Sequence, residues 1–336
     1  MSEFPVTAPA DDGGVTPVSL ASRPTPLEPA PRLARALGLG PDDLWIKRDD
    51  LTGLGGGGNK VRKLEWLCGA ALAEGAGTLV TSGAAQSNHA RLTAAAGARL
   101  GLDVVLVLAG TPDAAASGNV ALDGLLGAEI VWAGDVDETT LAATLEEVVA
   151  RLRSEGAAPA LIPFGGSSVT GARGYAECGR ELLAQAPDLS LVVTAVGSGG
   201  TMAGLVHTLG AERVLGVHCG AVPDPARTVG GLVAGLSAGG AAPAGLRLRL
   251  RLDQVGDGYA SLTEPVKAAM RTAARTEGII LDPVYTGRAM AGLLAAAGDG
   301  EVRPGRRTVF LHSGGLPGFF GHGPTVGWAR GGAAGG

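Results

Sequence analysis

The residues best suited by type and spacing to do chemistry are a run of four glycines, 55–58, that leads directly into Asn59 and Lys60. Glycine lets a backbone approach a ligand closely and adopt conformations that are closed to other residues. A lysine amine can form an imine with a carbonyl compound when burial or nearby charge lowers its pKa from about 10.4. The pattern therefore indicates a lysine that holds an aldehyde cofactor. Taken alone, the glycine run also fits a flexible surface loop with an exposed lysine.

A second glycine-rich segment follows the predicted strand 191–196 and opens a predicted helix. Backbone N–H groups at a helix N-terminus point at an anion, and the helix dipole adds to the attraction. The segment lacks the Gly-Lys-Ser/Thr ending of a Walker loop, and Ala203 breaks the spacing of the GxGxxG dinucleotide fingerprint. We expect it to bind one phosphate monoester, with a plain glycine turn as the alternative for the motif alone. The residues of this predicted phosphate cup are Gly197, Ser198, Gly199, Gly200 and Thr201.

Three polar residues, Ser87, Asn88 and His89, also follow a predicted strand and start a predicted helix. Helix capping by Ser87 or Asn88 is the ordinary interpretation of such residues. The same geometry would present exposed amides to a substrate carboxylate, with Ser87 close enough to act on the substrate. His89, taken alone, is more often structural.

Candidate proton donors stand in two loops, at Tyr259 and Tyr285, and these are two of only three tyrosines in the chain. A tyrosine hydroxyl near a cationic cofactor can act as an acid or a base, although packing at a surface turn is the alternative. Ser313, followed by two glycines at the end of a predicted strand, is suited to a cofactor edge. An imine-forming lysine and a monophosphate cup are what pyridoxal 5'-phosphate requires, and a carboxylate-binding helix start suits an amino-acid substrate.

The composition excludes several other functions. A net charge of -5 argues against a nucleic-acid surface, and the arginines at 247, 249 and 251 alternate with leucines in a way typical of the solvated face of a strand. Three widely spaced cysteines favour a reducing compartment over a disulfide framework, and the histidine spacing gives little support for a metal site. The N-terminus does not resemble a signal peptide, and no apolar run approaches the length of a membrane span. We therefore expect a cytoplasmic protein.

The elements that must position these residues alternate between short β-branched runs and Ala/Leu-rich helical stretches. The pattern predicts strands at 79–81, 104–108, 129–132, 191–196, 214–218 and 308–311, and helices near 88–100, 119–126, 138–154 and 202–209. This order predicts an α/β fold with parallel sheets covered by helices, in which ligands bind at the carboxyl ends of the strands. The ends, residues 1–20 and 329–336, are expected to be mobile.

Several motifs, in order along the chain, resemble one known family. They are Trp45–Leu54, the following Gly-Gly-Asn59-Lys60, Arg62–Glu65, Gly83 with Gln86–His89, the segment 197–201, and Asp282–Gly287. From about Pro24 to Phe319 the chain is similar to the pyridoxal-phosphate enzymes grouped as D-cysteine desulfhydrase and 1-aminocyclopropane-1-carboxylate deaminase. The resemblance implies a tryptophan-synthase-β-like fold (PLP fold type II) and a homodimer. It further implies a large cofactor domain, 21–64 with 163–328, and a small mobile domain, 65–162.

The resemblance also implies roles for individual residues. Lys60 would be the lysine bonded to the cofactor, and Ser87, Asn88 and His89 would receive the substrate carboxylate. Ser87, Tyr259 and Tyr285 would surround the reacting carbons. The further cofactor contacts would be Asn59, Asn88 at the ring hydroxyl, Gly197–Thr201 at the phosphate, Thr286 and Ser313.

The expected reaction is an α,β-elimination on a small amino acid, with D-cysteine giving pyruvate, hydrogen sulfide and ammonia. The deaminase branch carries glutamate where this chain has Thr286. A hydroxyl keeps the pyridine nitrogen protonated less well than a carboxylate does. Thr286 therefore favours the desulfhydrase branch. The stretch Ala84-Ala85 and the extra glycine in 55–58 leave more room in the site. The alternatives are a lyase acting on 1-aminocyclopropane-1-carboxylate, cysteate or another β-substituted amino acid, and a non-catalytic cofactor- or amino-acid-binding protein.

Overall fold

The structure is a computed structural model, and it describes residues 14–113, 117–237 and 240–331. Residues 16–20 depart from the expected mobile N-terminal segment, because they pack against the helix that contains Lys60. The Val18 N–H donates to the Glu65 carbonyl at 2.9 Å, the Leu20 N–H donates to the Glu65 carboxylate at 2.9 Å, and Leu20 is buried. The rest of the two expected mobile ends lies outside the described residues, apart from 14–15 and 329–331.

The larger of two sheets has six strands in the order β1-β2-β10-β7-β8-β9. Its strands are β1 (Leu27–Pro29), β2 (Leu44–Lys47), β7 (Leu191–Val196), β8 (Val214–His218), β9 (Arg249–Arg251) and β10 (Thr308–Leu311). All neighbours are parallel except β1, which runs antiparallel to β2 at the edge. Successive side chains of a strand point to opposite faces, so Val193 and Val192 lie in separate hydrophobic cores on the two sides of this sheet.

Helices cover both faces of the larger sheet. One face packs against α1 (Pro31–Ala36), α9 (Glu264–Glu277) and α10 (Thr286–Gly298). The other packs against α6 (Val169–Gln185), α7 (Gly200–Leu209) and α8 (Pro225–Leu236). The short helices α11 (Leu316–Phe320) and α12 (Gly323–Gly331) follow the last strand.

The smaller sheet has four parallel strands in the order β5-β4-β3-β6. They are β3 (Thr78–Ala84), β4 (Asp103–Ala109), β5 (Glu129–Gly134) and β6 (Pro159–Leu161). Two helices, α2 (Lys60–Ala73) and α3 (Asn88–Leu100), pack on one face, and α5 (Glu138–Ser154) packs on the other. The short helix α4 (Asn119–Leu125) joins β4 to β5. Helix α2 runs without interruption through the expected domain boundary between 64 and 65.

Most predicted elements match the structure, and two boundaries differ near the site. Strand β3 continues to Ala84, so Ser82 and Gly83 belong to the strand and not to the turn after it. Helix α7 begins at Gly200, two residues earlier than predicted, because Gly199 adopts a φ of +87° and caps it. The solvated-face interpretation agrees with Arg247, which is exposed, and with Arg249, whose side chain is 34% exposed. It does not hold for Arg251, whose side chain is 14% exposed and forms ion pairs with the carboxylates of Asp253, Asp299 and Glu301.

Three sequence-based exclusions, of disulfides, a metal site and a membrane span, can be compared with the described residues. All three cysteines are free and buried. Within ranges 14–113, 117–237 and 240–331, no group of three or more His, Cys, Asp or Glu is placed to hold a metal ion. In the same ranges no helix is long and apolar enough to cross a membrane.

Candidate active site

A cavity of about 250 Å³ lies where the carboxyl ends of strands from both sheets meet. The larger sheet contributes residues after β7, β8 and β10, and the smaller sheet contributes Ala84 and Ala109 at the ends of β3 and β4. Twelve of the predicted site residues line this cavity: Asn59, Lys60, Ser87, Asn88, His89, Gly197, Ser198, Gly199, Thr201, Tyr259, Tyr285 and Ser313. Two predicted residues, Gly200 and Thr286, do not line it.

Lys60 is the first residue of α2, and its amine donates a hydrogen bond to the Gly165 carbonyl at 3.1 Å. Burial lowers the pKa of Lys60 to about 8, and the positive end of the helix dipole acts in the same direction. Roughly a tenth of the amine is therefore unprotonated at pH 7 and can act as a nucleophile, far more than for a free lysine. Gly165 has a φ of +60°, and a Cβ there would lie 2.1 Å from the Ser198 hydroxyl oxygen, so the turn beside Lys60 requires glycine.

A second lysine in the cavity, Lys63, was missed by the sequence reasoning. Its amine donates to the Ser167 hydroxyl at 3.0 Å and to the Gly165 carbonyl at 3.3 Å. Burial, and then the charge of Lys60, hold the pKa of Lys63 well below its usual value. Since a Cβ at Gly200 would lie 3.1 Å from the Lys63 amine, this group lies against the N-terminus of α7. The spacing of three residues from Lys60 was the available signal, because it places both side chains on one face of a helix.

The predicted phosphate cup is a cluster of donors around the start of α7. The Gly200 N–H donates to the Ser167 hydroxyl at 3.0 Å, which lies 2.7 Å from the Ser198 hydroxyl. The Asn59 amide donates to the Thr201 hydroxyl at 3.0 Å. A helix N-terminus, hydroxyls and an amine are the groups that bind a phosphate, so the donor set fits a phosphate monoester.

The start of α3 carries the predicted carboxylate site. The Ser87 hydroxyl caps the helix by accepting from the Ala90 N–H at 3.2 Å, while the N–H groups of Asn88 and His89 have no carbonyl within the helix. The His89 ring is 2% exposed, bonds the Thr81 hydroxyl at 3.1 Å, and has a pKa that burial holds well below its usual value. Its side chain is therefore neutral and structural, and the backbone N–H is what His89 offers to a carboxylate.

Tyr259 and Tyr285 meet in the cavity through a hydrogen bond between their hydroxyls. Their rings are 6.0 Å apart at an angle of 75°. Burial raises the pKa of Tyr259 to about 12 and that of Tyr285 well above 10, so both hydroxyls are protonated at neutral pH and can donate. A Cβ at Gly197 would lie 3.0 Å from the Tyr285 ring, and glycine there lets the ring rest against the phosphate cup.

The expected cofactor contact at Thr286 is not met by this geometry. Thr286 is fully buried, and its hydroxyl donates to the Asp282 carboxylate at 2.6 Å while accepting from the Asp282 N–H at 2.9 Å. The side chain is therefore part of the turn that starts α10. Ser313, shortly after the end of β10, does line the cavity with its hydroxyl.

Comparison with known proteins identifies the family. The sequence profile described as pyridoxal-phosphate dependent enzyme matches residues 18–314. The chain belongs to this family. It is 39% identical to the D-cysteine desulfhydrase of Klebsiella pneumoniae, over 92% of this chain and 97% of that protein. It is also 39% identical to a protein of Pyrococcus abyssi provisionally named 1-aminocyclopropane-1-carboxylate deaminase, over 92% of this chain and 94% of that protein.

A solved structure agrees with this assignment. The crystal structure of an ACC deaminase homologue matches with a TM-score of 0.85 and 37% identity, over 94% of this chain and 96% of that one. The fold is therefore that of the fold type II pyridoxal-phosphate enzymes, as the sequence predicted. The enzyme is a pyridoxal-phosphate-dependent lyase of the group whose members carry the deaminase and desulfhydrase names.

Proposed function

We propose that the enzyme eliminates hydrogen sulfide from D-cysteine, and that one water then hydrolyses the remaining enamine to pyruvate and ammonia. The observation that carries the proposal is one cavity holding an amine with a lowered pKa, a helix start with free N–H groups, and two protonated tyrosine hydroxyls. These supply a base, a carboxylate site and a proton donor, which are the groups that elimination from an amino acid needs. The desulfhydrase of K. pneumoniae, at 39% identity, supports the choice of substrate.

The donor set fits the cofactor, and we assign its contacts as follows. Lys60 would hold pyridoxal phosphate covalently, and the start of α7 with Lys63 would hold the phosphate. Ser313 would face the ring nitrogen, with Asn59 and Asn88 near the ring. When bound, the cofactor supplies an electron sink for the bond that breaks at the α-carbon.

The remaining chemistry belongs to the side chains of this chain. The backbone N–H groups of Asn88 and His89, with Ser87, would hold the substrate carboxylate and fix the orientation of the α-carbon. The Lys60 amine, with a pKa of about 8, would take the α-proton near neutral pH. The tyrosine pair would then donate a proton to the departing sulfur.

Ser313 would present a hydroxyl, and not a carboxylate, to the ring nitrogen, and this favours cysteine over the cyclopropane as the substrate. A hydroxyl such as that of Ser313 leaves the ring nitrogen less firmly protonated than a carboxylate would, and so gives a weaker electron sink. A weaker sink suffices for a good leaving group such as sulfide. The second candidate is 1-aminocyclopropane-1-carboxylate deamination, which is favoured by the names of the archaeal relatives at 37% and 39% identity.

The test is keto-acid release by the purified enzyme from D-cysteine, L-cysteine and 1-aminocyclopropane-1-carboxylate in parallel. We expect pyruvate and sulfide from D-cysteine, none from Lys60→Ala, and unchanged release from Lys267→Ala, a matched change at a surface lysine paired with Glu264. 2-Oxobutyrate from the cyclopropane alone would establish the second candidate. Release of keto acid from none of the three substrates would contradict both candidates.

We also expect a cytoplasmic homodimer, and light scattering of the purified enzyme tests the dimer.

A further inference from the structure

Arg288 is a fully buried arginine three residues beyond Tyr285 on α10. Its Nη1 donates to the Cys219 carbonyl at 2.7 Å, and its Nη2 donates to the carbonyls of Gly258 at 2.7 Å and Ser261 at 3.0 Å. It forms no ion pair with any residue in the described part of the chain. Its partners are thus backbone carbonyls.

These three carbonyls belong to two loops of the active-site wall. Cys219 directly precedes Gly220, which lines the cavity, while Gly258 and Ser261 flank Tyr259. A Cβ at Gly220 would lie 3.6 Å from Arg288 Nη1 and 3.7 Å from the Tyr259 Cα, so the loops and the guanidinium are closely packed. Arg288 therefore joins the loop that carries Tyr259 to the end of β8.

Stability alone is a poor explanation for this arginine. A buried cation without a carboxylate partner costs free energy, and burial lowers the pKa of Arg288. Asp282, the nearby carboxylate, already accepts from the N–H groups of Val284 and Thr286. What arginine offers is a planar fork of five donors that can reach carbonyls of two loops at once, which a lysine ammonium cannot match.

We propose that Arg288 is a positioning residue for the tyrosine pair. By holding the 258–261 turn against the end of β8, Arg288 keeps the Tyr259 hydroxyl hydrogen-bonded to the Tyr285 hydroxyl. The inference rests on the proposed function, since it requires the pair to act on the substrate. A displacement of about 1 Å in a reacting group can cost about a hundredfold in rate, so a loosened turn is expected to affect catalysis more than binding.

A double-mutant cycle of Arg288→Gln with Tyr259→Phe tests this in the holoenzyme, on whichever amino acid the wild type turns over. We expect R288Q to lower kcat about tenfold or more while KM changes by less than about threefold. In the Y259F background the same change should lower kcat by less than about threefold, because its effect passes through Tyr259. Arg288→Lys should recover part of the loss.

The matched control is Arg91→Gln, since Arg91 is also fully buried and donates to a backbone carbonyl, that of Gly57 at 2.9 Å. Its effect on kcat should add in full to that of Y259F. Full additivity for R288Q as well would overturn the inference.

Hydrogen exchange of peptides covering 252–263 gives a readout that does not depend on turnover. Exchange should be faster in R288Q than in wild type or R91Q. Unchanged exchange would contradict the inference that Arg288 holds the 258–261 turn. R288K replaces R288Q in this measurement if R288Q does not fold. If the wild type turns over none of the amino acids, the proposed function fails while the exchange result still decides whether Arg288 holds the turn.

Discussion

Replacing Arg62 with methionine should destabilise the enzyme strongly, because Arg62 neutralises a carboxylate that is fully buried. Asp49 and Arg62 are both 0% exposed. Asp49 accepts from Arg62 Nε at 2.8 Å and Arg62 Nη2 at 2.9 Å, and also from the hydroxyls of Tyr175 at 2.6 Å and Thr25 at 2.8 Å. Arg62 lies in the first turn of α2, two residues after Lys60, so this ion pair also anchors the helix end that carries the site lysine.

The size of the effect follows from the number of donors lost. R62M removes both N–H donors to Asp49 and its buried cation, and leaves the carboxylate with only hydroxyl and thiol donors in a medium of low polarity. Breaking one partner of a buried ion pair costs about 3–5 kcal/mol, which corresponds to a fall in Tm of roughly 4–7 °C for a chain of 336 residues. R62K keeps the charge but loses the two-pronged geometry, and should fall between wild type and R62M.

The assay is thermal unfolding of the holoenzyme, with Arg249→Met as the matched control. Arg249 pairs with Glu301 at 2.9 Å on the surface, where a pair contributes about 0–1 kcal/mol, so R249M should lower Tm by no more than about 2 °C. If R62M lowered Tm no more than R249M, the buried pair would not be the anchor of α2 that the structure indicates.

Two further predictions concern the cofactor site. Gly199→Ala should weaken cofactor affinity about tenfold, because residue 199 has a φ of +87° and a Cβ there would lie 3.1 Å from the Thr228 methyl. Titration of the cofactor-free protein with pyridoxal phosphate measures the affinity. Gly231→Ala is the control, because a Cβ there meets nothing within 4 Å. The absolute rate of cofactor uptake should rise with pH and level off above about pH 8, because the Lys60 amine has lost its proton there. Imine formation by a free lysine derivative should keep rising to about pH 10. An uptake rate that also keeps rising through pH 10 would contradict the lowered pKa.

Much of the fold could be predicted because the local signals agreed. The β-branched run 191–196 is bounded by glycine, and helix 88–100 lies between the capping Ser87 and Gly101, which adopts a left-handed φ of +71°. The motifs at Ser87, Gly197 and Ser313 fell near the ends of β3, β7 and β10, and the structure brings most of the predicted site residues to one cavity.

The misses came from packing that local patterns do not encode. The turn 164–167 brings Gly165 and Ser167 to the lysines from a segment about a hundred residues away, and nothing in its own sequence marks that contact. Thr286 was expected to contact the cofactor, but its hydroxyl bonds Asp282 and does not line the cavity. A sequence identifies a hydroxyl there, but whether it faces the cavity or bonds Asp282 depends on the turn geometry.

Peptide mapping of the borohydride-reduced holoenzyme would show whether Lys60, and not the neighbouring Lys63, carries the cofactor. Reduction fixes the cofactor to the amine that holds it, and mass spectrometry then locates the added mass. The structure predicts the label on Lys60, whose amine lines the cavity at the start of α2, with Lys63 left unmodified at the phosphate cup. A label on Lys63, or no label on either lysine, would contradict the assignment of the cofactor to Lys60.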